Sequence, residues 1–177
     1  MGTSDLERLT QAVAGRAAGL ALYARQWVDA ATAEDVVQEA LVALVAHHQR
    51  WRNFADPGSR LEKPLAWIYR TVRNGAIDRA RSAARRRRRE QAVAQMRGSW
   101  FELRPDVQLD SQAAEQALRQ LPAEHREVVV LRIWNDLRFV EIAEILGLGV
   151  STVHDRYNAA LKQLRLALEK PCPNKTN

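Results

Sequence analysis

The sequence predicts an all-α protein made of two small helical domains. Three observations lead to this prediction: apolar residues recur at spacings of three and four, strand signals are almost absent, and a stretch without periodicity divides the chain. The single β-branched run (VVVL, residues 128–131) lies inside a helical pattern. A chain of 177 residues with 46% hydrophobic composition is long enough for one ordinary domain or two small ones.

The first two helices are predicted over residues 5–27 and 32–48. Thr32 is a candidate N-cap, with Asp35 three residues later as in a capping box. The predicted buried positions are Leu6, Leu9, Val13, Leu20 and Tyr23 in the first helix, and Val37, Ala40, Leu41, Leu44 and Val45 in the second. The exposed side of the second helix gathers Asp35, Gln38, Glu39 and Val42. Such an acidic face would repel DNA and fit a basic protein surface, although first-turn carboxylates also stabilise a helix dipole.

A loop with a DPGS turn signal, residues 51–63, precedes a third helix that begins at Pro64 and spans residues 64–95. At 100° per residue, six side chains of this helix fall within about 60° of one line. These are Trp67, Arg70, Asn74, Asp78, Arg81 and Arg85, opposite Leu65, Ile68, Val72, Ala76 and Ala83. Arginines neutralise phosphates, amides bond to base edges and aromatic rings stack on unpaired bases. The six residues are therefore a candidate DNA surface, with packing against the preceding loop as the alternative for Trp67.

The periodicity is lost over residues 98–110, which contain Gly, Ser and Pro and form the predicted linker. Helices are predicted over residues 111–120, 122–134, 139–146 and 151–169, and residues 171–177 are expected to be disordered. Residues 141–156 predict a helix-turn-helix, in which Gly147 leaves one helix in a left-handed conformation. The last helix has an apolar side formed by Val150, Val153, Tyr157, Ala160, Leu161 and Leu164. Its polar side, suited to a major groove, contains Ser151, Thr152, Asp155, Asn158 and Lys162.

Positive charge is concentrated in one part of the chain. Residues 50–97 contain 14 basic and 4 acidic side chains, whereas the rest of the chain contains 13 basic and 17 acidic ones. Of the 27 basic residues 23 are arginines, which suit bidentate phosphate contacts. The asymmetry indicates a surface that binds a polyanion, although a solvated helix face would carry the same charges.

The composition excludes several other classes of protein. No stretch approaches the ~18 apolar residues of a membrane span, and the N-terminus has no signal-peptide core, so a cytoplasmic protein is expected. The single cysteine, Cys172, has no partner for a disulfide or a thiol metal site. There is no Ser–His–Asp set, no paired carboxylates in a plausible cleft and no Gly-rich phosphate loop. No catalytic residue, metal or cofactor is therefore predicted.

Three motifs in order resemble bacterial sigma factors of the sigma-70 family, specifically the extracytoplasmic-function (ECF) group. Residues 33–41 (AEDVVQEAL) are similar to the family's core-polymerase-binding helix, and residues 64–79 (PLAWIYRTVRNGAIDR) with the following arginines resemble its −10-recognising helix. Residues 121–131 (LPAEHREVVVL), the helix-turn-helix and residues 160–165 (ALKQLR) resemble its −35-binding domain. The resemblance covers about residues 5–170.

The resemblance implies a non-catalytic subunit that directs promoter recognition, −10 melting and transcription initiation. Residues 1–97 would bind the coiled coil of the polymerase β′ subunit through Asp35, Gln38, Glu39 and Val42. They would also hold the melted −10 strand through Trp67, Arg70, Asn74, Asp78, Arg81 and Arg85, with a flipped-out base captured by the loop 51–63. Residues 111–170 would bind the β flap, and the −35 element through Ser151, Thr152, Asp155, Arg156, Asn158 and Lys162. The residues leave open whether an anti-sigma protein binds.

The chain departs from the family pattern at two positions of the helix-turn-helix. Gly149 stands where members commonly have a serine that caps the recognition helix, and glycine costs only a few tenths of a kcal/mol there. Ala159 stands where they often have arginine, so one expected DNA contact is missing. A stand-alone helix-turn-helix regulator is the alternative function. It accounts for the C-terminal module only, and co-purification with core polymerase would distinguish the two.

Overall fold

The computed structural model describes residue 13 and residues 15–54, 63–89 and 108–169. Helices and turns make up these residues, with no strand among them, which confirms the predicted all-α class. The helices are α1 (Ala17–Ala24), α2 (Ala30–Phe54), α3 (Pro64–Arg89), α4 (Gln108–Gln120), α5 (Ala123–Val129) with a π-helical continuation (Val130–Trp134), α6 (Phe139–Leu146) and α7 (Val150–Glu169). The chain divides into two compact units: α1, α2 and α3 belong to the first, and α4, α5, most of α6, and α7 belong to the second.

An apolar core holds the first unit together. Its most buried side chains, each at most 4% exposed, include Leu20, Tyr23, Val36, Val37, Ala40, Leu44, Ala66, Ile68, Tyr69, Val72 and Ala76. Tyr23 of α1 packs edge-on against Tyr69 of α3, with ring centroids 5.7 Å apart. Of the predicted first-helix positions, Val13, Leu20 and Tyr23 are buried, whereas Leu6 and Leu9 lie outside the described residues. A turn at residues 15–16 separates Val13 from α1, so the prediction of one unbroken helix is wrong there.

Helix α2 begins at Ala30, two residues earlier than predicted. Asp29 accepts hydrogen bonds from the backbone N–H of Thr32 at 2.9 Å and from the Thr32 hydroxyl at 3.0 Å. Asp29 is therefore the N-cap, and the prediction of Thr32 as the cap is wrong. The same backbone N–H lowers the pKa of the Asp29 carboxyl below its usual range, because it stabilises the charged form.

The other end of α2 lies at Phe54, so the predicted loop is wrong for residues 51–54. The helix continues because the sequence places no helix breaker before Pro57. Along the interface with α3, a Cβ added to Gly75 would lie 3.2 Å from Cγ1 of Val36. Glycine therefore allows the two helices to pack closely and fixes how they are aligned.

In the second unit, the helix predicted over residues 122–134 is α-helical only to Val129. The backbone N–H of Asn135 and its buried side-chain amide both donate to the carbonyl of Val130, at 3.3 and 3.1 Å. The backbone bond spans five residues, which is the π-helical pattern, and it replaces the four-residue bond of an α-helix. Asp136 then adopts a positive φ of 49°, which ends the helical segment.

The helix-turn-helix is formed by α6 and α7. Gly147 has φ 67° and ψ 37°, which confirms the predicted left-handed conformation, and Leu148 N–H donates to the carbonyl of Ala143 at 3.0 Å. The buried side chains of the two helices are Ile142, Ala143 and Ile145 in α6, and Val153 and Ala160 in α7. Val150 and Leu161, which belong to the predicted apolar side, are 45% and 39% exposed. Val150 is the first residue of α7, and Leu161 lies at the edge of the apolar stripe.

Candidate protein- and nucleic-acid-binding faces

The acidic face of α2 consists of Asp35, Gln38, Glu39 and Val42, and all four side chains are exposed. Val42 is 70% exposed, which is unusual for a valine beside a well-packed core. The opposite side of α2 buries Val37, Ala40 and Leu44, while Leu41 and Val45 are half-buried. Because the core uses the other side of the helix, the two carboxylates, the amide and Val42 can all be presented to a partner.

Within this face, Glu39 and Asp35 are in different surroundings. Nη2 of Arg79 on α3 donates to Oε1 of Glu39 at 2.5 Å, which forms an ion pair between the two helices. Asp35 forms no ion pair with any residue in the described ranges. Sequence reasoning missed Arg79 because it lies about 120° around α3 from Trp67, outside the predicted DNA surface. Only the packing of α2 on α3 brings Arg79 to Glu39.

The predicted DNA surface of α3 is largely exposed. Arg70, Asn74, Asp78, Arg81 and Arg85 lie at the surface, and Trp67 is half-buried with its ring 5.9 Å from that of His47 on α2. Arg81 and Arg85 make local contacts: Arg81 lies 3.8 Å from Asp78, and Arg85 donates to the Ser82 hydroxyl at 2.8 Å. Exposed contacts of this kind stabilise the fold little, so these arginines can exchange them for phosphates.

On α7, the polar side is exposed, with Ser151, Thr152, Asp155, Asn158 and Lys162 at the surface. Arg156 differs from them, because its side chain is only 27% exposed and Nη2 lies 3.1 Å from a carboxylate oxygen of Glu124 on α5. It also lies about 140° around the helix from Ser151, on the flank of the polar side. A DNA contact by Arg156 would have to replace the ion pair with Glu124. Lys162 is the better-placed cation.

His154 lies beside the polar side of α7 and is not among the site residues that the sequence predicts. Its ring packs edge-on against Phe139, with centroids 5.4 Å apart, and Nδ1 lies 3.1 Å from the amide nitrogen of Asn158. When that amide donates to Nδ1, the neutral ring carries its proton on Nε2. The two contacts hold the imidazole in one orientation next to a predicted DNA-binding residue.

The described ranges contain no group of three His, Cys, Asp or Glu side chains arranged to hold a metal ion. Nor does any helix in those ranges combine the length and apolar character needed to cross a bilayer. Residues 55–62 of the predicted base-capturing loop, most of the predicted linker and the C-terminal tail lie outside the described residues.

Two family models match the chain, each over one set of helices. Sigma-70 region 2 matches residues 17–86, and sigma-70 region 4 matches residues 111–164. The first match includes the acidic face of α2 and the six-residue surface of α3. The second includes the helix-turn-helix.

Individual relatives agree with these matches. The ECF RNA polymerase sigma factor SigL of Mycobacterium tuberculosis is 35% identical over 145 residues, which cover 80% of this chain and 77% of SigL. The RNA polymerase sigma factor SigV of Bacillus subtilis is 30% identical over 136 residues, which cover 77% of this chain and 75% of SigV.

Two solved structures share the fold. CnrH, solved in complex with the cytosolic domain of CnrY, is similar with a TM-score of 0.60 and 26% identity, over 94% of this chain and 91% of that chain. The sigma factor RpoE, solved with the anti-sigma factor NepR from Bartonella quintana, has a TM-score of 0.62 and 23% identity, over 96% and 100% of the two chains. A stand-alone helix-turn-helix regulator would leave the region 2 match without a role. The chain therefore belongs to the extracytoplasmic-function group of the sigma-70 family of RNA polymerase sigma factors.

Proposed function

We propose that this sigma factor divides promoter-directed initiation among three exposed faces. The acidic face of α2 binds core polymerase, the six-residue surface of α3 holds the −10 strand, and the polar side of α7 binds the −35 element. The observation that carries this proposal is the opposite chemistry of two faces within the first unit: exposed carboxylates on α2 and exposed arginines on α3. DNA is attracted to the second face and repelled by the first, so the acidic face requires a basic protein partner.

Core polymerase is the partner that the family implies for the acidic face. Its β′ coiled coil is the proposed contact for α2, and its β flap is the proposed contact for the second unit. Charge complementarity would orient the encounter, and the exposed Val42 would supply a small apolar contact within a polar rim. Neither role needs a catalytic group on this chain, and we propose that it has none.

On α3, the chemistry suits a single DNA strand. Arg70, Arg81 and Arg85 can neutralise successive phosphates, and the Asn74 amide can both donate to and accept from a base edge. Trp67 can offer only the exposed part of its ring, because the rest packs near His47. We therefore assign the six-residue surface mainly to backbone and amide contacts, with stacking as a smaller contribution.

On α7, Ser151, Thr152 and Asn158 can bond to base edges in a major groove, and Lys162 can bind a phosphate. Asp155 carries a negative charge and can only accept hydrogen bonds, so its proposed partner is a base amino group. Because both core polymerase and promoter DNA occur in the cytoplasm, we propose that the protein acts there. An anti-sigma protein is a further proposed partner, on the family resemblance alone.

Run-off transcription with purified core polymerase tests the proposal. A defined transcript should appear only when this chain is added, and it should start downstream of matched −35 and −10 elements. Without core polymerase, the chain should bind duplex DNA weakly and with a steep dependence on salt, since arginine–phosphate contacts release counterions. A tight, sequence-specific complex of the free chain with duplex DNA would instead support the stand-alone regulator.

A further inference from the structure

We propose that Arg79 is a positioning residue for core-polymerase binding, which holds the Glu39 carboxylate in the orientation that polymerase recognises. The inference rests on the proposed function, because it requires core polymerase to bind the acidic face of α2. Arg79 itself belongs neither to that face nor to the six-residue surface of α3.

The geometry lets Glu39 serve two partners at once. Arg79 Nη2 donates to Oε1 at 2.5 Å, and the Glu39 side chain is still 69% exposed. Oε2 has no partner among the described residues, so it can accept a bond from a basic group on another protein. A hydrogen bond between two charged groups is also stronger than a neutral one, which favours a single orientation of the carboxylate.

Arg79 is well placed to act as a fixed support. Its side chain is only 33% exposed, and Nη1 is buried without a hydrogen-bond partner in the described part of the chain. The two helices also pack closely beside the ion pair. Gly75 of α3 lies against Val36 of α2, and each of these residues comes about one turn before the ion-pair residue of its helix. The contact that aligns α2 with α3 therefore also brings Arg79 to Glu39.

A supported carboxylate should bind more tightly than a free one. An unrestrained glutamate loses side-chain freedom when a partner immobilises it, and this loss weakens binding. A carboxylate that the fold already holds avoids most of the loss, which corresponds to about three- to tenfold in Kd. The competing explanation is that the ion pair only joins α2 to α3. It would then affect stability but not core affinity in a folded variant.

The test measures core-polymerase Kd and thermal midpoint for variants of the full chain. Arg79→Met removes the ion pair while keeping an apolar stem against α2, and it is made in both the native and Glu39→Ala backgrounds. Glu39→Arg is made alone and, as a charge swap, together with Arg79→Glu. The matched control is Arg119→Met, because Arg119 forms an ion pair of similar length, 2.6 Å, with Glu115 within α4 of the second unit.

We expect Arg79→Met to weaken core binding about three- to tenfold, the range given by side-chain ordering, while Arg119→Met has no effect. In the Glu39→Ala background, Arg79→Met should change Kd less than about twofold, since no carboxylate is left to orient. The charge swap should recover the thermal midpoint lost in Glu39→Arg, because the ion pair re-forms. Its core binding should stay weak, because a cation now faces the basic partner.

The inference is overturned if Arg79→Met binds core polymerase like the native chain, if it weakens binding equally without Glu39, or if the charge swap restores binding. If Arg79→Met fails to fold, Arg79→Lys replaces it in the same affinity measurements, because lysine keeps the charge but lacks the planar guanidinium that holds the carboxylate. Asp35→Arg separates this inference from the proposed function. Unchanged core binding in Asp35→Arg refutes the acidic face as the polymerase site, whereas a loss there with unaffected Arg79→Met refutes only the positioning role.

Discussion

Replacing Gly147 by alanine should destabilise the helix-turn-helix by a backbone effect alone. Gly147 has a φ of 67°, and a Cβ added to it would meet no atom within 4 Å. The added methyl group therefore clashes with nothing, and the loss in stability is that of placing an L-residue in the left-handed region, about 1–2 kcal/mol. Gly147→Asn should cost less, because a short polar side chain tolerates this conformation.

Thermal and urea unfolding of the chain, followed by circular dichroism, provides the assay. For a domain of this size, each 1 kcal/mol lowers the midpoint by roughly 4–8 °C. Gly149→Ser is the comparison variant in the same turn. Its added Cβ would lie 3.7 Å from the nearest atom, and serine is a better N-cap for α7 than glycine. That variant should gain a few tenths of a kcal/mol.

Two results would refute this reasoning about Gly147. The first is a Gly147→Ala variant that unfolds at the native midpoint, which would mean that the left-handed conformation is not required. The second is a Gly147→Asn variant that is destabilised as strongly as Gly147→Ala, which would point to a steric cost that the open space around Gly147 does not explain.

Three further predictions concern the other helices. Asp29→Ala should cost about 1 kcal/mol at pH 7. The pKa of Asp29 is lowered in the folded state. The difference in free energy of unfolding between the native chain and the variant, measured with urea, should therefore shrink as the pH falls below the unfolded-state pKa of about 3.9. Gly75→Val should destabilise by about 1–3 kcal/mol through overpacking against Val36, as measured by thermal unfolding, and a native midpoint would argue against the close helix contact. Lys162→Ala should weaken −35 binding and reduce its salt slope by about one, whereas an unchanged slope would remove Lys162 from the DNA contacts.

The sequence predicted best what depends on local signals. Helix α6 has the predicted bounds, and Gly147 has the predicted left-handed conformation, because a glycine after an apolar helix is a local stop signal. The helical period likewise predicted that Asp35 and Glu39 would be exposed. The start of α2 is harder to predict, because Asp29 and Thr32 are both good N-cap residues. Only the hydrogen bonds in the structure show that Asp29 caps the helix.

Features that depend on tertiary contacts could not be predicted from the sequence. In the π-helical segment, the buried amide of Asn135 donates to the carbonyl of Val130, whereas the sequence there is typical of an ordinary α-helix. The partner of Glu39 depends on how α2 and α3 are aligned, since residues 40 positions apart carry no shared local pattern. The same holds for Arg156, whose ion pair with Glu124 brings together two helices of the second unit.

The affinity of core polymerase for Asp35→Arg, compared with Glu34→Arg, tests the central claim most directly. Both substitutions reverse one exposed charge near the start of α2, but Glu34 lies about 100° around the helix from Asp35, on the flank of the acidic face next to Gln38. Asp35→Arg should abolish binding, because like charges at an interface cost several kcal/mol, while Glu34→Arg should bind within about twofold of the native chain. If both variants bind like the native chain, or both lose binding equally, the acidic face of α2 is not the polymerase-binding site.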